Sequence, residues 1–387
     1  MTQLKYCCLG LQLLLQLIVF TSFAQENGWI EKPKDEWPNI SLTNHVWYKN
    51  GDRFVDPSFD YAGTGFTVRN KGKVYAITAK HVLWIARNKN SQQVKVNNDL
   101  ERWVMRVRGS PTDSVVIDQL VNEDSTEILE GPESTILERD LIVFTVKSIT
   151  RNIQTLRAGN TAVRKGQRVY IIGNPYGSTA PVIFDSRIVD KFGTDMLIEQ
   201  PANSEIAGFS GSPVVDDKGF VIAVFSSVST VPVTGKAVIV ATSMEYFEAV
   251  VSRKHGINKP KIDVGKLLLQ IANEKGADAA IDRHKKLARK KRNYYRYNLR
   301  SASKNGILET GEALLKQGKT TGAIQMLEYN IEINGAFYYN HIVLGKAYLQ
   351  AGQKEKARLC FQNAIDRFAE KENEAYQLIE KIESGME

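Results

Sequence analysis

One serine of the chain stands where a nucleophile would need to stand. Ser210 lies in the segment Gly208–Pro213 (GFSGSP), directly before the apolar run Val214–Val215. Glycine on either side of a serine permits a tight turn that exposes the hydroxyl, and backbone N–H groups can then point at one spot beside it. Such donors stabilise the oxyanion that forms when a hydroxyl attacks a carbonyl carbon. The segment therefore predicts acyl-transfer chemistry at Ser210.

A serine nucleophile needs a base, usually histidine, and the histidine needs a carboxylate to orient it. Three of the five histidines lie at the edge of the β-rich part of the chain or beyond it: His255, His284 and His341. His45 lies in the N-terminal approach segment. His81 follows the strand-like run Val74–Thr78, at a point where a barrel would open. His81 is therefore the predicted base.

The carboxylate is less sharply indicated than the base. Asp140 stands at the start of the apolar run Leu141–Val146, and an ionised carboxylate beside apolar residues needs a partner. Asp113 and Asp118 are alternatives in the same part of the chain. The residues alone favour Asp140 and leave the other two open.

The elements that must position these side chains are predicted to be strands. From about Trp47 to Ser252, short apolar or alternating runs are separated by Gly, Asp and Asn turns, which is typical of β structure. Asp216–Gly219 (DDKG), between two apolar runs, predicts a hairpin turn. Many short strands without a clear long helix between them predict an all-β barrel or sandwich.

From Val264 onward apolar residues recur at helical spacing. After Gly306 an internal repeat with a period of 34 residues pairs six positions: Gly311 with Gly345, Leu314 with Tyr348, Gly318 with Gly352, Lys319 with Gln353, Ala323 with Ala357, and Leu327 with Phe361. These residues resemble the tetratricopeptide repeat, a helix–turn–helix unit of that length. Residues 306–339 and 340–373 are the two predicted units, and helices in 264–300 are expected to add a degenerate third unit or a cap.

The N-terminus has the pattern of a secretory signal. Lys5 precedes an apolar run, and the small residues Ser22 and Ala24 stand at positions −3 and −1 of a predicted cleavage site. A membrane anchor fits less well, because the run is short for a span and is interrupted by glutamine. We expect cleavage after Ala24, no membrane span afterwards, and an exported protein, periplasmic or extracellular. One cysteine, Cys360, then remains, so no internal disulfide is expected.

Three segments together carry a family resemblance. Thr78–His81 (TAKH), Asp140–Val143 (DLIV) and Gly208–Pro213 resemble the three motifs of trypsin-like serine peptidases, in that family's order His, Asp, Ser. Gly173–Gly177 (GNPYG) is similar to a loop of the Deg-like (high-temperature-requirement) bacterial branch. The resemblance covers roughly residues 60–245.

The resemblance implies two six-stranded barrels with a catalytic triad in the cleft between them. His81 and Asp140 would come from the first barrel and Ser210 from the second, and the N–H groups of Gly208 and Ser210 would form the oxyanion hole. The sequence departs from the family at two positions near the serine. Phe209 stands where Asp or Asn is common, and Ser212 where Gly is common.

The resemblance also locates the primary substrate pocket. Its base would lie near Ser204, where a peptidase specific for basic residues would carry Asp, with Ile206 and Phe225 beside it. These three side chains offer no buried anion for Lys or Arg, although Glu205 is adjacent. We therefore expect cleavage after uncharged residues.

The chain is thus predicted to be multidomain, with an all-β double barrel followed by an all-α helical repeat module. The predicted parts are a signal peptide (1–24), an N-terminal segment (25–50), a trypsin-like domain (51–255), a helical linker (256–305) and the repeats (306–387). The hydrophobic fraction of 43% excludes a mainly disordered chain. A net charge of +8 does not by itself indicate nucleic acid, and no nucleic-acid partner is expected.

The predicted function is that of an exported serine endopeptidase acting on polypeptides, with a protein or peptide partner bound at the repeats. No Walker loop, metal-ligand cluster or dinucleotide fingerprint occurs in the sequence, so no cofactor is expected. Two alternatives remain open: a catalytically inactive trypsin-like domain that serves as a binding module, and a scaffold whose function lies in the repeats.

Overall fold

The computed structural model describes most of the chain and divides it into two compact units. The described residues are 28–56, 59–86, 93–94, 100–122, 124–128, 140–192, 195–230, 237–252, 262–290, 293, 296–299, 306–334, 338–367 and 374–384. The predicted signal peptide, 1–24, lies outside them. The first unit, here the barrel unit, runs to residue 252 except for two short stretches near 192 and 228–238, and the helical unit holds the described residues from 262 onward.

The first barrel is a closed ring of six strands. Its strands and the short ones beside them are β1 Leu42–Tyr48, β2 Thr64–Asn70, β3 Lys73–Thr78, β4 Gln93–Val94, β5 Leu100–Val107, β6 Ser110–Leu120, β7 Asp124–Ile128, β8 Ile142–Ile149 and β9 Leu156–Arg157. The order around the ring is β1-β5-β6-β8-β3-β2, and pairing of β1 with β2 closes it. β9 adds to β2 in parallel, and β4 pairs with β7 separately.

Strand β1 lies in the predicted N-terminal segment (25–50), before the predicted start of the trypsin-like domain at residue 51. In the structure β1 pairs with both β2 and β5. The alternating apolar pattern of β1 is not apparent in the sequence, because the inward-facing residue between Leu42 and Val46 is the polar Asn44. Asn44 is fully buried, donating to Ala62 O at 2.9 Å and accepting from Trp103 Nε1 at 3.0 Å. These bonds satisfy an amide that burial would otherwise penalise.

The second barrel is also closed and six-stranded. Its strands are β10 Arg168–Gly173, β11 Val182–Phe192, β12 Asp195–Glu199, β13 Pro213–Asp216, β14 Val221–Thr230 and β15 Ala237–Ser243. Their order is β10-β11-β12-β15-β14-β13. The β13–β14 turn is the predicted one at Asp216–Gly219, where Gly219 has φ +79°. The predicted double barrel followed by a helical region is therefore confirmed.

The segment before β1 packs on the outer surface of the second barrel. Two short 3₁₀ turns, Gly28–Glu31 and Lys34–Glu36, bring Trp37 edge-on to Tyr170, with ring centroids 5.2 Å apart. Lys34 Nζ lies 3.1 Å from Asp185 Oδ2. Because the next strand, β1, belongs to the first barrel, this segment ties the two barrels together.

Nine helices occur in the described ranges. They are α1 Val82–Ile85, α2 Glu245–Val251, α3 Val264–Lys275, α4 Ala277–Ala288, α5 Gly306–Lys316, α6 Thr320–Asn334, α7 Tyr338–Gln350, α8 Lys354–Arg367 and α9 Ala375–Ser384. None of those helices combines the length and the apolar character that a membrane crossing requires.

The helical unit repeats its packing with the period found in the sequence. A Cβ added to Gly311 of α5 would lie 2.6 Å from Leu327 of α6, and one added to Gly345 of α7 would lie 2.4 Å from Phe361 of α8. Both glycines therefore allow paired helices to approach closely. The α3–α4 hairpin, from the predicted linker, shares a core with α5 and α6. The tetratricopeptide family itself stays a prediction.

Gly345→Ala tests this packing. The added methyl group would overlap the Phe361 ring, so we expect a loss of about 1–3 kcal/mol in the free energy of unfolding of the helical unit. Gly322→Ala is the matched control, because its Cβ would meet only ordinary contacts at 3.8 and 3.9 Å and should show only the helix-propensity gain of up to about 1 kcal/mol. Urea unfolding followed by far-ultraviolet circular dichroism measures both. Equal stability of the two variants would contradict the close approach.

Candidate active site

Strand pairing in the first barrel brings His81 and Asp140 together. β3 and β8 are antiparallel with Thr78 opposite Ile142, so the end of β3 lies beside the start of β8. His81 follows β3 by three residues and Asp140 precedes β8 by two. The register of two neighbouring strands thus fixes a pair of residues 59 positions apart in sequence.

The Asp140 carboxylate is held by three donors. Its Oδ1 accepts the backbone N–H of His81 at 2.9 Å, and its Oδ2 accepts His81 Nδ1–H at 2.7 Å. The Ser226 hydroxyl also donates to Oδ2. Asp140 is only 1% exposed, and a buried carboxylate is tolerated when such hydrogen bonds replace its water.

These contacts favour the charged forms of both partners. Burial alone would lower the pKa of His81, but the charge of Asp140 and the hydrogen bond to it outweigh burial and raise that pKa above 6.5. Burial would likewise raise the pKa of Asp140, whereas His81 and the Ser226 hydroxyl lower it. The site is therefore built to stabilise an imidazolium beside a carboxylate.

Ser210 completes the arrangement from the second barrel. Its Oγ lies 2.7 Å from His81 Nε2. Because Nδ1–H is directed at Asp140, Nε2 carries the lone pair and accepts the Ser210 proton. First-barrel groups hold the serine loop: Thr64 N–H donates to Ser210 O at 2.8 Å, and Thr64 Oγ1 donates to Gly208 O at 2.8 Å.

The loop backbone requires glycine at the predicted oxyanion position. Gly208 has φ +99°, and a Cβ there would lie 2.4 Å from Asn174 O. In the described part of the chain, the N–H groups of Gly208 and Ser210 have no hydrogen-bond acceptor, whereas neighbouring loop amides do: Phe209 N–H donates to Ile206 O and Gly211 N–H to Phe225 O, both at 2.9 Å. Two unpaired amides beside the Ser210 hydroxyl are free to receive an oxyanion.

The unusual residue before the serine has a packing role. Phe209 is fully buried and stacks on Phe184 with ring centroids 4.4 Å apart. It also contacts Phe225 at 5.9 Å. Ser212, the other departure, is buried as well, and a Cβ on Gly173 would lie 2.5 Å from its Oγ. The Phe209 ring is thus accommodated in the second-barrel core, whereas the Ser212 hydroxyl is buried without a hydrogen-bond partner among the described residues.

The three predicted pocket residues lie in different surroundings. Ser204 is partly buried and accepts from Gln200 Nε2 at 3.3 Å. Ile206 packs against the second-barrel core, and Phe225 belongs to that core with 3% exposure. Glu205 is exposed, and its Oε1 accepts Gly177 N–H at 2.9 Å. The Glu205 carboxylate is thus directed at the GNPYG loop.

The rival residues have other partners. Asp113 accepts from Ser110 and Asn152, and Asp118 accepts from Thr145. His45 Nε2 is 3.0 Å from Thr43 Oγ1. None of the three contacts His81 or Ser210 among the described residues.

Sequence reasoning missed two residues of the site, Ser226 and Thr64. Ser226 follows the apolar run Val221–Phe225 within β14, and a buried hydroxyl in such a strand needs an acceptor. That signal indicates a buried polar contact, but it does not identify Asp140 as the acceptor. Thr64 lies between two glycines, and this sequence is as typical of a turn as of the start of a strand.

Comparison with known proteins identifies the class of the barrel unit. The family model of the trypsin-like peptidase domain matches residues 63–224. The match confirms the predicted resemblance to trypsin-like serine peptidases over these residues. No curated protein matches the chain.

Two solved structures are similar at low identity. The HtrA-type protease AlgW with a decapeptide has 17% identity and a TM-score of 0.36, with 57% of this chain and 66% of that one covered. A thermostable serine protease, AL20, from an extremophilic microorganism has 14% identity and a TM-score of 0.37, with 55% and 93% covered. The chain thus spans just under two thirds of AlgW's length, and neither structure bears on the activity of this chain.

The charges around His81 predict a pH profile. Protonated Nε2 cannot accept the Ser210 proton, so kcat/KM should fall as the pH falls, with a midpoint above the ordinary histidine value of 6.5. Asp140→Asn removes the charge that raises this pKa and should move the midpoint down. It should also lower kcat by roughly four orders of magnitude, the effect known for the same change in the standard serine-protease triad. Measurement of kcat and kcat/KM on a peptide substrate across pH tests the midpoint and the loss of rate. If Asp140→Asn keeps the wild-type dependence of kcat/KM on pH, the charge pairing is contradicted.

Proposed function

We propose that the chain is a serine endopeptidase that hydrolyses polypeptides through Ser210, His81 and Asp140. The observation that carries the proposal is the unbroken hydrogen-bonded series from Asp140 Oδ2 through the His81 ring to Ser210 Oγ, with both contacts at 2.7 Å. The trypsin-like match over residues 63–224 supports the same reaction class.

The steps follow from the positions of the groups. His81 Nε2 takes the hydroxyl proton as Ser210 Oγ attacks the peptide carbonyl carbon, and Asp140 stabilises the imidazolium that results. The Gly208 and Ser210 amides donate to the oxyanion of the tetrahedral intermediate. His81 then gives its proton to the leaving amine, which leaves an acyl group on Ser210. Water, activated by the same histidine, releases the acyl group and restores the serine.

Substrate preference is proposed to be for an uncharged residue on the acyl side of the scissile bond. Ser204, Ile206 and Phe225 provide no carboxylate, and the nearby Glu205 carboxylate is engaged by the Gly177 amide. A lysine or arginine side chain entering there would lose its hydration without gaining a paired charge.

Export and partner binding belong to the same proposal. The N-terminal signal pattern supports export before the peptidase acts. The repeating Gly311 and Gly345 contacts support a helical array, and such arrays present surfaces that bind peptide segments. The repeats would then recruit proteins, while the chemistry stays in the barrel unit.

An inactive binding module would explain the unusual residue Phe209. Burial of its ring against Phe184 and Phe225 accounts for that residue without any loss at Ser210. No specific feature of the described site favours inactivity.

Ser210→Ala and His81→Ala test the proposal. Each should reduce hydrolysis of a denatured peptide library by on the order of a million-fold, because triad residues act as a unit. Ser148→Ala is a matched control, since Ser148 lies exposed on β8 and should keep full activity. Sequencing the cleavage products of the same library reports the specificity of the wild-type protein. Predominant cleavage after Lys or Arg would contradict the proposed pocket. Comparable activity in Ser210→Ala would overturn the assignment.

A further inference from the structure

Three arginines surround one tryptophan on the outer face of the first barrel. The guanidinium carbons of Arg53, Arg102 and Arg106 lie 5.7, 5.3 and 5.4 Å from the centroid of the Trp47 ring. The β1–β5 register sets Trp47 opposite Arg102 and Thr43 opposite Arg106, so these side chains share a face. An isolated bridge between Trp47 and Arg53 adds the third arginine. We call this group the arginine cluster.

The cluster has more positive charge than the described residues neutralise. Arg53 is paired with Asp60. No carboxylate of the described chain lies within ion-pair distance of Arg102 or Arg106. The Nε atoms of Arg53 and Arg106 are buried and out of reach of a ligand, whereas the Arg102 side chain is exposed. Cation–π contact with Trp47 offsets part of the repulsion between the guanidiniums, yet N–H donors and charge remain that match a carboxylate, which arginine binds in bidentate geometry.

The imidazole ring of His45 contributes no charge to the arginine cluster. Burial, together with the charges of Arg106 and Arg53, lowers the pKa of His45 to about 4, against the opposing charge of Asp60. His45 is therefore neutral near pH 7. His45 therefore adds no positive charge to that of the arginines.

A short segment connects the cluster to the nucleophile. Asp60 pairs with Arg53, and Tyr61 packs near His45, with ring centroids 6.3 Å apart. Four residues after Asp60, Thr64 N–H donates to Ser210 O at 2.8 Å. Four residues span at most about 14 Å when fully extended. Asp60, at the edge of the cluster, therefore lies close in the chain to the backbone that holds the serine loop, and an extended substrate is taken to reach the arginines beyond it.

We propose that the arginine cluster is an exosite that binds an acidic segment of the polypeptide substrate, a few residues away from the scissile bond. This inference rests on the proposed peptidase function and adds a substrate class to it. Carboxylates of Asp or Glu on the substrate would pair with Arg102 and Arg106. Preference for such substrates would be expressed mainly in KM, because the contact is remote from the reacting atoms.

The experiment compares two fluorogenic peptides with the same cleaved core. One carries Glu and Asp in extensions on both sides, and the other carries Gln and Asn at the same positions. We expect the full-length protein to cleave the acidic peptide with about tenfold higher kcat/KM at low ionic strength, and the ratio to approach one at high salt. In the double variant Arg102→Gln/Arg106→Gln, the ratio of kcat/KM between the acidic and the amide peptide should fall close to one, because KM for the acidic peptide rises. Arg151→Gln/Arg164→Gln removes the same charge from exposed positions outside the cluster and should keep the wild-type ratio.

The outcomes separate the exosite from the peptidase function. If both peptides are cleaved with equal kcat/KM, or if the control variant loses the preference as fully as the cluster variant, the exosite is overturned while the peptidase function stands. If neither peptide is cleaved, fluorescence anisotropy measures binding of both peptides to the full-length Ser210→Ala protein. Tighter binding of the acidic peptide that depends on Arg102 and Arg106 then supports the exosite, and equal binding overturns it.

Discussion

A fully buried carboxylate constrains the whole barrel unit. Asp140 can stay ionised only if donors replace its water, since an unpaired buried charge costs several kcal/mol. Its donors come from both barrels, because His81 lies at the end of β3 and Ser226 lies within β14. The same bonds that hold the charge fix the imidazole ring, which then presents Nε2 to Ser210. The stability of the carboxylate and the geometry of the nucleophile are thus one requirement.

Close approach between the barrels is the second requirement, and it explains the glycines. A Cβ on Gly211 would lie 2.1 Å from Thr64 O, and one on Gly63 would lie 2.7 Å from Ser210 O. The backbones of the serine loop and of the start of β2 therefore approach each other without intervening side chains at these two glycines. Thr64 then bonds the loop at two points, so a first-barrel residue sets the position of Ser210, the proposed nucleophile of the second barrel.

The sequence predicts those parts of the fold and site that depend on local pattern and motif order. Strand texture predicts an all-β barrel or sandwich and helical spacing predicts the helical region, while the double barrel follows from the resemblance that the motifs of His81, Asp140 and Ser210 carry. Strand β1 lies before the predicted domain start at residue 51, because a hydrogen-bonded Asn44 replaces an apolar residue in its inward face and obscures the strand pattern. The contact of Ser226 with Asp140 was not predictable, because it joins different barrels and depends on how they pack. Long-range packing of this kind leaves no periodic signal in the chain.

Covalent labelling with a fluorophosphonate probe tests the central claim, that the buried pair activates Ser210, most directly. The probe reacts with a serine only when a neighbouring base activates it. Peptide mapping by mass spectrometry should find the adduct on Ser210 of the full-length protein, and His81→Ala should lose it while remaining folded. Absence of any adduct on the folded wild-type protein, or an adduct at Ser210 that persists in His81→Ala, would contradict the account.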